Sequence, residues 1–452
     1  MREVHSYVDS RRQPWLQELL DLIAQPTIST TGEGMAEGVT LLTQLMESSG
    51  LEVQQFDSPG EPFLSAERKS PSAQRTVLVY GHYDVQPPDP VELWTSPPFE
   101  PAVRGGKIYA RGSGDNKGQL YAQVKGVEAV LECLGELPVN VKFLFEGEEE
   151  VGSPNIGAFI RDHLDLLTCD LVYCSDGHHS YGDRPEVVFG VRGIFYVELT
   201  ARGPSVDVHS GNYGGLVDSP NERLARLVPL LKDETNHVLI PGFYDKVVGP
   251  TAQDLRAFDD LPLTAAEVMH DLGTESIAGD PSTHFLVKRV LQPTLNVNGF
   301  GGGYTGAGMK TIIPSSATMK IDMRLVEDQT PEEIQELLKA YLTQIGMDDL
   351  EIQVYGRMPP WRTPIDHPAS RPVLRAVEAG FGAPPFLVPG VGGSLPMAWF
   401  KQIPDASIFL VPYAQHDERN HSPDESFAVE NYFAGIRTMA NLVMELAQET
   451  QA

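Results

Sequence analysis

Short, uninterrupted apolar runs alternate with amphipathic helical patterns early in the chain, and this alternation restricts the fold more than any other feature. The runs TVLVY (76–80), VKFLF (141–145) and LVYC (171–174) have the length and composition of buried strands. Between the first two, residues 118–134 place apolar side chains on one stripe of a predicted helix. Strands that alternate with helices predict a mostly parallel sheet covered by helices on both faces.

The pattern changes near residue 191. The runs IFYVELT and SATMKIDMRLV alternate apolar and polar residues, as half-buried antiparallel strands do. Thr330 and Glu333 then predict a helix N-cap with a capping box, and Pro331 suits the first helical position. The run LEIQVYG alternates again, so these residues predict an α+β unit.

The α/β pattern returns after this unit, with a predicted helix near 372–379, the strand IFLVPY and a final helix from about 429 to 448. We therefore expect a first domain built from both ends of the chain, residues 1–189 and 359–452. An α+β domain at 190–358 is expected to interrupt it. The predicted fold class is thus mixed α/β, with a mostly parallel sheet and an inserted domain.

Charge and cysteine content exclude several classes of protein. The 452 residues include 62 acidic and 34 basic ones, for a net charge of -28, which repels nucleic-acid phosphates and anionic lipids. Neither a signal core nor a membrane-spanning window is present, so we expect a cytoplasmic protein that binds no membrane. Three cysteines without a CxxC pair suit no disulfide framework or thiolate zinc site, so any metal needs oxygen and imidazole ligands.

Polar segments follow four of the predicted strands. His82 and Asp84 come after TVLVY, Glu148-Glu149-Glu150 after VKFLF, Asp176 after LVYC, and His421 a short loop after IFLVPY. Ligands of open α/β sheets gather at the carboxyl ends of the strands. We therefore expect these side chains to lie close together.

Each segment alone has another interpretation. A His-x-Asp pair is often structural, and Asp115 in RGSGDNKG suits a helix N-cap. The glutamate run is compatible with a solvated acidic loop, and Asp176 with a turn. His416 is an imidazole that competes with His421.

Taken together, the segments favour a binuclear metal centre. Hydrolases hold two ions about 3.5–4 Å apart that share a bridging carboxylate. Asp115, Glu149, Glu150 and Asp176 supply the negative charge that two divalent cations would neutralise.

The segments YGHYDVQP, WTSPPF, YARGSGDNKG, EGEEEVGS and NHSPDE resemble the signatures of the co-catalytic metallopeptidase family. This family includes cytosolic non-specific dipeptidase, carnosinase, aminoacylase, acetylornithine deacetylase and succinyl-diaminopimelate desuccinylase. The likeness extends from about residue 75 to the C-terminus and is strongest for the dipeptidase branch. It implies that the first domain is catalytic and that the insertion is a lid, which often forms the contact of a homodimer.

The resemblance implies a specific ligand set. His82 and Asp176 would hold one metal ion, Glu150 and His421 the other, and Asp115 would bridge them. Sites of this composition accept zinc, manganese or cobalt, so two divalent ions per subunit are expected, with zinc or manganese favoured.

The resemblance also implies catalytic roles for three residues. Asp84 would orient His82, and Glu149 would be the general base that takes a proton from water and passes it to the leaving amine. His209, in DVHSG, would stabilise the oxyanion, in dimeric members from the partner subunit. A histidine in a loop at a turn is the other interpretation of His209.

A further implied site binds the substrate carboxylate. Arg324 would grip it, assisted by Gly393 and Ser394 of the GGSLP segment. The alternative for Arg324 is a surface ion pair with Asp322 or Glu327. Dipeptidases of the family usually carry Arg-Glu ahead of GGS, whereas Gly390-Val391 stands here, which leaves the side-chain preference open.

A dipeptidase acting on short peptides with a free C-terminal carboxylate fits these features best. The WTSPPF loop and the large insertion favour it over an N-acyl-amino-acid deacylase with the same metal centre, which is the alternative. A binding protein without activity would be expected to lack Glu149 or a ligand, and all are present. A phosphoesterase would need a basic phosphate-binding cluster, which this acidic sequence does not show.

Overall fold

The computed structural model describes residues 1–448 of the chain. The α-helices are α1 (Arg2–Ser10), α2 (Arg12–Ala24), α3 (Met35–Ser48), α4 (Lys117–Leu134), α5 (Ile156–Asp162), α6 (Leu164–Leu167), α7 (Ser210–Tyr213), α8 (Pro220–Leu231), α9 (Ala252–Asp259), α10 (Ala265–Leu272), α11 (Phe285–Val290), α12 (Pro331–Gln344), α13 (Ser370–Phe381) and α14 (Val429–Gln448). Three 3-10 helices span Val91–Leu93, Glu149–Val151 and Pro396–Gln402.

The strands are β1 (Glu52–Phe56), β2 (Phe63–Arg68), β3 (Thr76–His82), β4 (Ala102–Arg104), β5 (Lys107–Tyr109), β6 (Asn140–Glu146), β7 (Leu171–Cys174), β8 (Glu186–Val188), β9 (Gly190–Val191), β10 (Gly193–Arg202), β11 (Val208–His209), β12 (Thr294–Gly302), β13 (Ile312–Ile313), β14 (Ser316–Leu325), β15 (Glu351–Met358), β16 (Trp361–Arg362), β17 (Phe386–Val388), β18 (Ser407–Leu410) and β19 (Ser426–Ala428). The apolar runs that predicted buried strands therefore lie in β3, β6, β7 and β18.

An eight-stranded sheet forms the centre of the molecule, in the order β1-β2-β6-β3-β7-β18-β8-β17. Neighbours are parallel from β6 through β3 and β7 to β18, and also between β8 and β17. The β1–β2, β2–β6 and β18–β8 pairs are antiparallel. The predicted mixed, mostly parallel sheet is thus confirmed.

Each face of this sheet has its own hydrophobic core. Alternate side chains of a strand point to opposite faces, so Val77 and Val79 of β3 pack with α4 and α14, whereas Leu78 and Tyr80 pack with α5 and the 3-10 helix Pro396–Gln402. Burial on both faces explains why the sequence runs are uniformly apolar.

A four-stranded antiparallel sheet, β12-β14-β10-β15, lies within the predicted insertion. Its core includes apolar side chains of α8 and α12. The chain passes into and out of this part of the molecule through β9 and β16, which pair side by side with Val191 opposite Trp361. The boundaries at residues 190 and 358 stay a prediction, and α9 and α11, which lie between them, contribute Phe258 and Leu286 to a core of the large sheet.

One local prediction is wrong in part. Thr330 caps α12 as expected, because its Oγ1 accepts a hydrogen bond from the Glu333 amide at 3.2 Å. The reciprocal half of the capping box is not formed, since the Glu333 carboxylate binds Lys246 Nζ at 2.9 Å. An ion pair with a distant residue thus replaces a local contact.

Among the described residues, no helix combines the length and apolar character that crossing a bilayer requires.

Candidate metal centre

The carboxyl ends of adjacent parallel strands bring the predicted ligands together. His82 is the last residue of β3 and lies opposite Glu146, the last residue of β6. Tyr80 lies opposite Cys174, the last residue of β7, two residues before Asp176. The segments that follow these strands therefore start at one edge of the sheet, as the sequence predicts.

Two clusters of ligand atoms share one carboxylate. The first is formed by His82, Asp115 and Asp176, and the second by Asp115, Glu150 and His421. His82 Nε2 lies 3.2 Å from Asp115 Oδ1 and 3.7 Å from Asp176 Oδ2. His421 Nε2 lies 3.0 Å from Asp115 Oδ2 and 3.1 Å from Glu150 Oε2. The two oxygens of Asp115 thus face different imidazoles, which is the arrangement of a bridging ligand.

The residues of both clusters fit divalent metal ions. Within the described chain, His82 Nε2 and Glu150 Oε1 are buried and have no hydrogen-bond partner. Buried polar atoms are normally satisfied, and in a cluster of ligand atoms a metal ion would be the partner of these two. A donor set of imidazole nitrogens and carboxylate oxygens suits zinc, manganese or cobalt.

Electrostatics in the clusters favour the same conclusion. Burial raises the pKa of Glu149 well above its usual value, His82 opposes this rise, and the Asp176 and Asp115 carboxylates add to it. Burial lowers the pKa of His82, but the carboxylates of Asp115 and Asp84 outweigh burial and raise it well above its ordinary value. The imidazoles alone therefore compensate only part of the negative charge, and divalent cations would compensate the rest.

The three glutamates of the acidic run have separate environments. The Glu148 carboxylate accepts a hydrogen bond from Asn155 Nδ2 at 2.7 Å, while Glu150 faces His421. Glu149 lines a cavity of about 260 Å³ that also borders Asp115, Asp176 and His421. The run is therefore not a solvated loop. Glu149 belongs to neither ligand cluster, and it faces the open space beside both of them.

Asp84 positions both a ligand and the glutamate turn. Its Oδ1 lies 3.3 Å from His82 Nδ1, which leaves Nε2 of that ring to face the cluster. The same carboxylate accepts hydrogen bonds from the backbone amides of Glu149 and Glu150 at 3.2 and 3.1 Å. One buried carboxylate thus fixes residues that follow two different strands, and a partner of this kind is common behind metal-bound histidines.

Sequence reasoning missed the group that positions Asp115. Glu425 Oε1 accepts hydrogen bonds from the amides of Gly114 and Asp115 at 3.1 and 3.2 Å, and its Oε2 binds Arg111 Nη1 at 2.6 Å. Both side chains of this ion pair are buried. Asp115 is not a helix cap, since Asn116 occupies the N-cap of α4 without a side-chain cap bond. A role of Arg111 and Glu425 at the site could have been predicted, because they stand in the two motifs YARGSGDNKG and NHSPDE.

Gln119 ties further segments of the site together, and it too was missed. Its Nε2 donates to the carbonyls of Gly114 and Gly177 at 2.8 and 2.9 Å, and its Oε1 accepts from the Tyr413 amide at 2.7 Å. Gln119 is buried in α4, and the apolar stripe that predicts this helix does not indicate a polar side chain with distant partners. A buried glutamine with three backbone partners holds three loops in a fixed relation.

The structure separates the two candidate imidazoles after β18. His416 is exposed and its Nδ1 lies 2.9 Å from Asp183, outside both ligand clusters. His421 is the histidine of the cluster, so the interpretation that favoured it is supported by position.

The residues predicted to bind the substrate carboxylate lie together. Arg324 Nη1 donates to Ser394 Oγ at 3.2 Å, and Arg324 Nε binds Asp322 Oδ2 at 3.0 Å. The ion pair considered as an alternative is thus formed, and it leaves Arg324 in contact with the GGSLP segment. The Gly393 carbonyl accepts from the Arg192 amide at 3.1 Å.

His209 lies apart from the cavity. It belongs to β11, its side chain is exposed, and its Nδ1 accepts a hydrogen bond from the Gly211 amide at 2.9 Å. Within the described part of the chain, other residues line the cavity beside the clusters, and His209 is not among them.

Comparison with known proteins extends over nearly the whole chain. A family model described as peptidase family M20/M25/M40 matches residues 78–445. Cys-Gly metallodipeptidase dug1 of Schizosaccharomyces pombe is 30% identical over 445 residues, which cover 94% of this chain and 92% of that protein. Beta-Ala-His dipeptidase of Homo sapiens is 27% identical over 473 residues, covering 99% and 93%. The crystal structure of the M20 family metallo-carboxypeptidase Sso-CP2 from Sulfolobus solfataricus matches with a TM-score of 0.84 and 33% identity, covering 96% of this chain and 99% of that one.

Replacing Arg111 tests the support of Asp115. The change Arg111→Met leaves the Glu425 carboxylate buried without its cation, so we expect urea unfolding of the metal-free protein to show a loss of about 3–5 kcal/mol. Metal affinity should also fall by about tenfold or more, because the 113–115 turn loses its anchor. The control Arg202→Met breaks an exposed ion pair with Glu351 and should change neither quantity. Unchanged metal affinity in Arg111→Met would contradict this role.

Proposed function

This chain belongs to the peptidase family M20/M25/M40, and within that family we propose that it is a dipeptidase that hydrolyses dipeptides or short peptides with a free C-terminal carboxylate. The observation that carries the proposal is the cavity in which Glu149 faces both clusters of ligand atoms. The names of the two curated relatives, both dipeptidases, support the same substrate class. The solved relative is named a metallo-carboxypeptidase, which supports a substrate that is cleaved next to its C-terminal residue.

Two divalent ions, zinc or manganese, would complete the site, and cobalt also suits the ligands. His82 and Asp176 would hold one ion, Glu150 and His421 the other, with Asp115 between them. When bound, such ions lower the pKa of water and polarise the scissile carbonyl. Asp84 would keep the His82 ring in its binding orientation.

Glu149 is the proposed general base. Its carboxylate lines the cavity beside the ligands, where it can take a proton from the attacking water and deliver it to the leaving amine. The hydrogen bond from the Glu149 amide to Asp84 fixes the backbone at this point.

Arg324 would bind the substrate carboxylate, since a guanidinium binds carboxylates in a bidentate manner. Ser394, which Arg324 already contacts, would donate a further hydrogen bond, and Gly393 would allow close approach of the backbone. Asp322 holds the guanidinium in place and is itself bound by Asn298 Nδ2 at 2.8 Å. This grip would place the C-terminal residue of the substrate on one side of the ligand clusters.

An N-acyl-amino-acid deacylase would use the same metal ligands, and the comparisons do not favour it. Release of free amino acid from Ala-Ala and from N-acetyl-Ala distinguishes the two activities, with Ala-Ala-Ala added to test longer peptides. We expect cleavage of the dipeptide in metal-loaded protein and its loss after chelation, because the ligands alone supply no electrophile. Preference for N-acetyl-Ala would contradict the dipeptidase proposal and leave the ligand set unchanged.

The change Glu149→Gln tests the general base. We expect kcat for a dipeptide to fall by at least about a hundredfold, because an amide cannot accept the proton. Metal content, measured by elemental analysis, should stay the same. The matched control is Glu148→Gln, one residue away, whose carboxylate binds Asn155 instead of facing the cavity. Comparable activity losses in both variants would contradict the assignment of the base to Glu149.

His209 suggests that the site is completed by a second subunit. It lies apart from the cavity of its own chain, so we propose a homodimer through the inserted domain in which the partner's copy stabilises the oxyanion.

Mixing two inactive variants tests this exchange. His209→Ala and Glu149→Gln should each be nearly inactive alone, whereas dimers formed by co-refolding both should regain about a quarter of wild-type activity, since random pairing gives one complete site in half of the dimers. Activity that stays absent in confirmed mixed dimers would contradict the role in trans.

A further inference from the structure

The cavity beside the ligand clusters contains a carboxylate that the proposed mechanism does not use. Glu186 opens β8, is 1% exposed, and lines the same space as Asp176 and Glu149. The lining of this cavity also includes apolar side chains, namely Val188, Val391, Leu395, Leu410 and Pro412. Burying an acidic group beside apolar side chains costs free energy, so the position of Glu186 calls for an explanation.

The local partners of Glu186 are all uncharged. Its Oε2 accepts a hydrogen bond from the Ser180 amide at 3.1 Å, and its Oε1 accepts one from Ser180 Oγ at 3.0 Å. Of the described residues that line the cavity, none is a lysine or an arginine. Burial raises the pKa of Glu186 to about 7, although the hydrogen bonds from Ser180 act in the opposite direction. The carboxylate is therefore held in a fixed orientation and lacks a positive partner from the cavity wall.

The cavity is suited to the N-terminal residue of the substrate. Arg324 and Ser394, the proposed carboxylate grip, are absent from its described lining, so the C-terminal residue would lie elsewhere. Val391 adds an apolar surface to this wall. Such surface suits the methylene stem of a long basic side chain, whose charged end then needs an anion.

We propose that Glu186 makes this enzyme selective for dipeptides whose N-terminal residue has a cationic side chain, lysine or arginine. The inference rests on the proposed dipeptidase function and assigns a preference within it. The ammonium or guanidinium of the substrate would form a charge-assisted hydrogen bond with Glu186 in a site of low polarity, while the stem packs on Val188 and Leu410. With the two metal ions offsetting the ligand carboxylates and Glu149 serving as the general base, Glu186 is the carboxylate of the described cavity wall that has no other assigned role.

The test compares Lys-Gly with norleucyl-Gly, which has the same number of side-chain carbons and lacks only the ammonium group. In metal-loaded wild-type protein, kcat/KM for Lys-Gly should exceed that for norleucyl-Gly by about tenfold or more, the size expected for a hydrogen bond to a charged group. The change Glu186→Gln should remove this ratio while leaving kcat/KM for norleucyl-Gly nearly unchanged. The matched control Asp183→Asn removes the same charge from an exposed position of the neighbouring loop and should keep the ratio.

The other outcomes separate the hypotheses. Equal rates for the two dipeptides in wild-type protein would overturn the inference without involving any variant. A Glu186→Gln protein that loses both activities equally and keeps its ratio would show that Glu186 binds the α-amine or only supports the fold, which also overturns it. Metal-loaded wild-type protein that cleaves neither dipeptide would overturn the proposed function itself, and the inference with it.

Discussion

Mutual repulsion among carboxylates at one edge of the large sheet is the constraint on which the site depends. Asp115, Glu149 and Asp176 border a single cavity, and Glu150 shares a ligand cluster with Asp115; in water-poor surroundings, like charges so close together are strongly unfavourable. Two imidazoles face them but cannot balance all of the charge. Divalent cations convert the same arrangement from repulsive to attractive, so the chemistry that destabilises the metal-free site is what gives it affinity for metal.

A site under such strain needs a rigid frame, and the frame is made of buried polar groups behind the ligands. Asp84 fixes His82 together with the amides of Glu149 and Glu150. The Arg111–Glu425 pair fixes the turn before Asp115, although the two residues are 314 positions apart in sequence. These contacts join segments that lie far apart in the sequence, so the site is complete only when all of them are in place. Its ligand geometry is thus a property of the folded whole and not of any motif.

Local patterns predicted the strands and the edge of the sheet where the candidate ligands lie, and the reasons are physical. Buried parallel strands must be apolar on both faces, and their ends necessarily share an edge, so TVLVY, VKFLF and LVYC predicted that His82, the glutamate run and Asp176 lie close together. Contacts between residues that are distant in the sequence were not predicted from these patterns. The partner of Glu333 is Lys246 instead of the Thr330 amide, and Glu186 stands in a short strand whose sequence does not show which wall it faces. Such contacts depend on the packing of distant elements, which periodicity does not encode.

The relation between the two sheets decides where the substrate can lie. Arg324 stands on β14 of the antiparallel sheet, yet it contacts Ser394 in the segment that follows β17 of the large sheet. Its guanidinium is oriented by Asp322, which Asn296 and Asn298 of the edge strand β12 hold in turn. The proposed carboxylate grip therefore lies where the insertion meets the large-sheet part of the molecule, while the ligand clusters follow strands of the large sheet. A substrate bound at both would span this junction, so the distance between the sheets would set how far the scissile bond can lie from the C-terminal carboxylate.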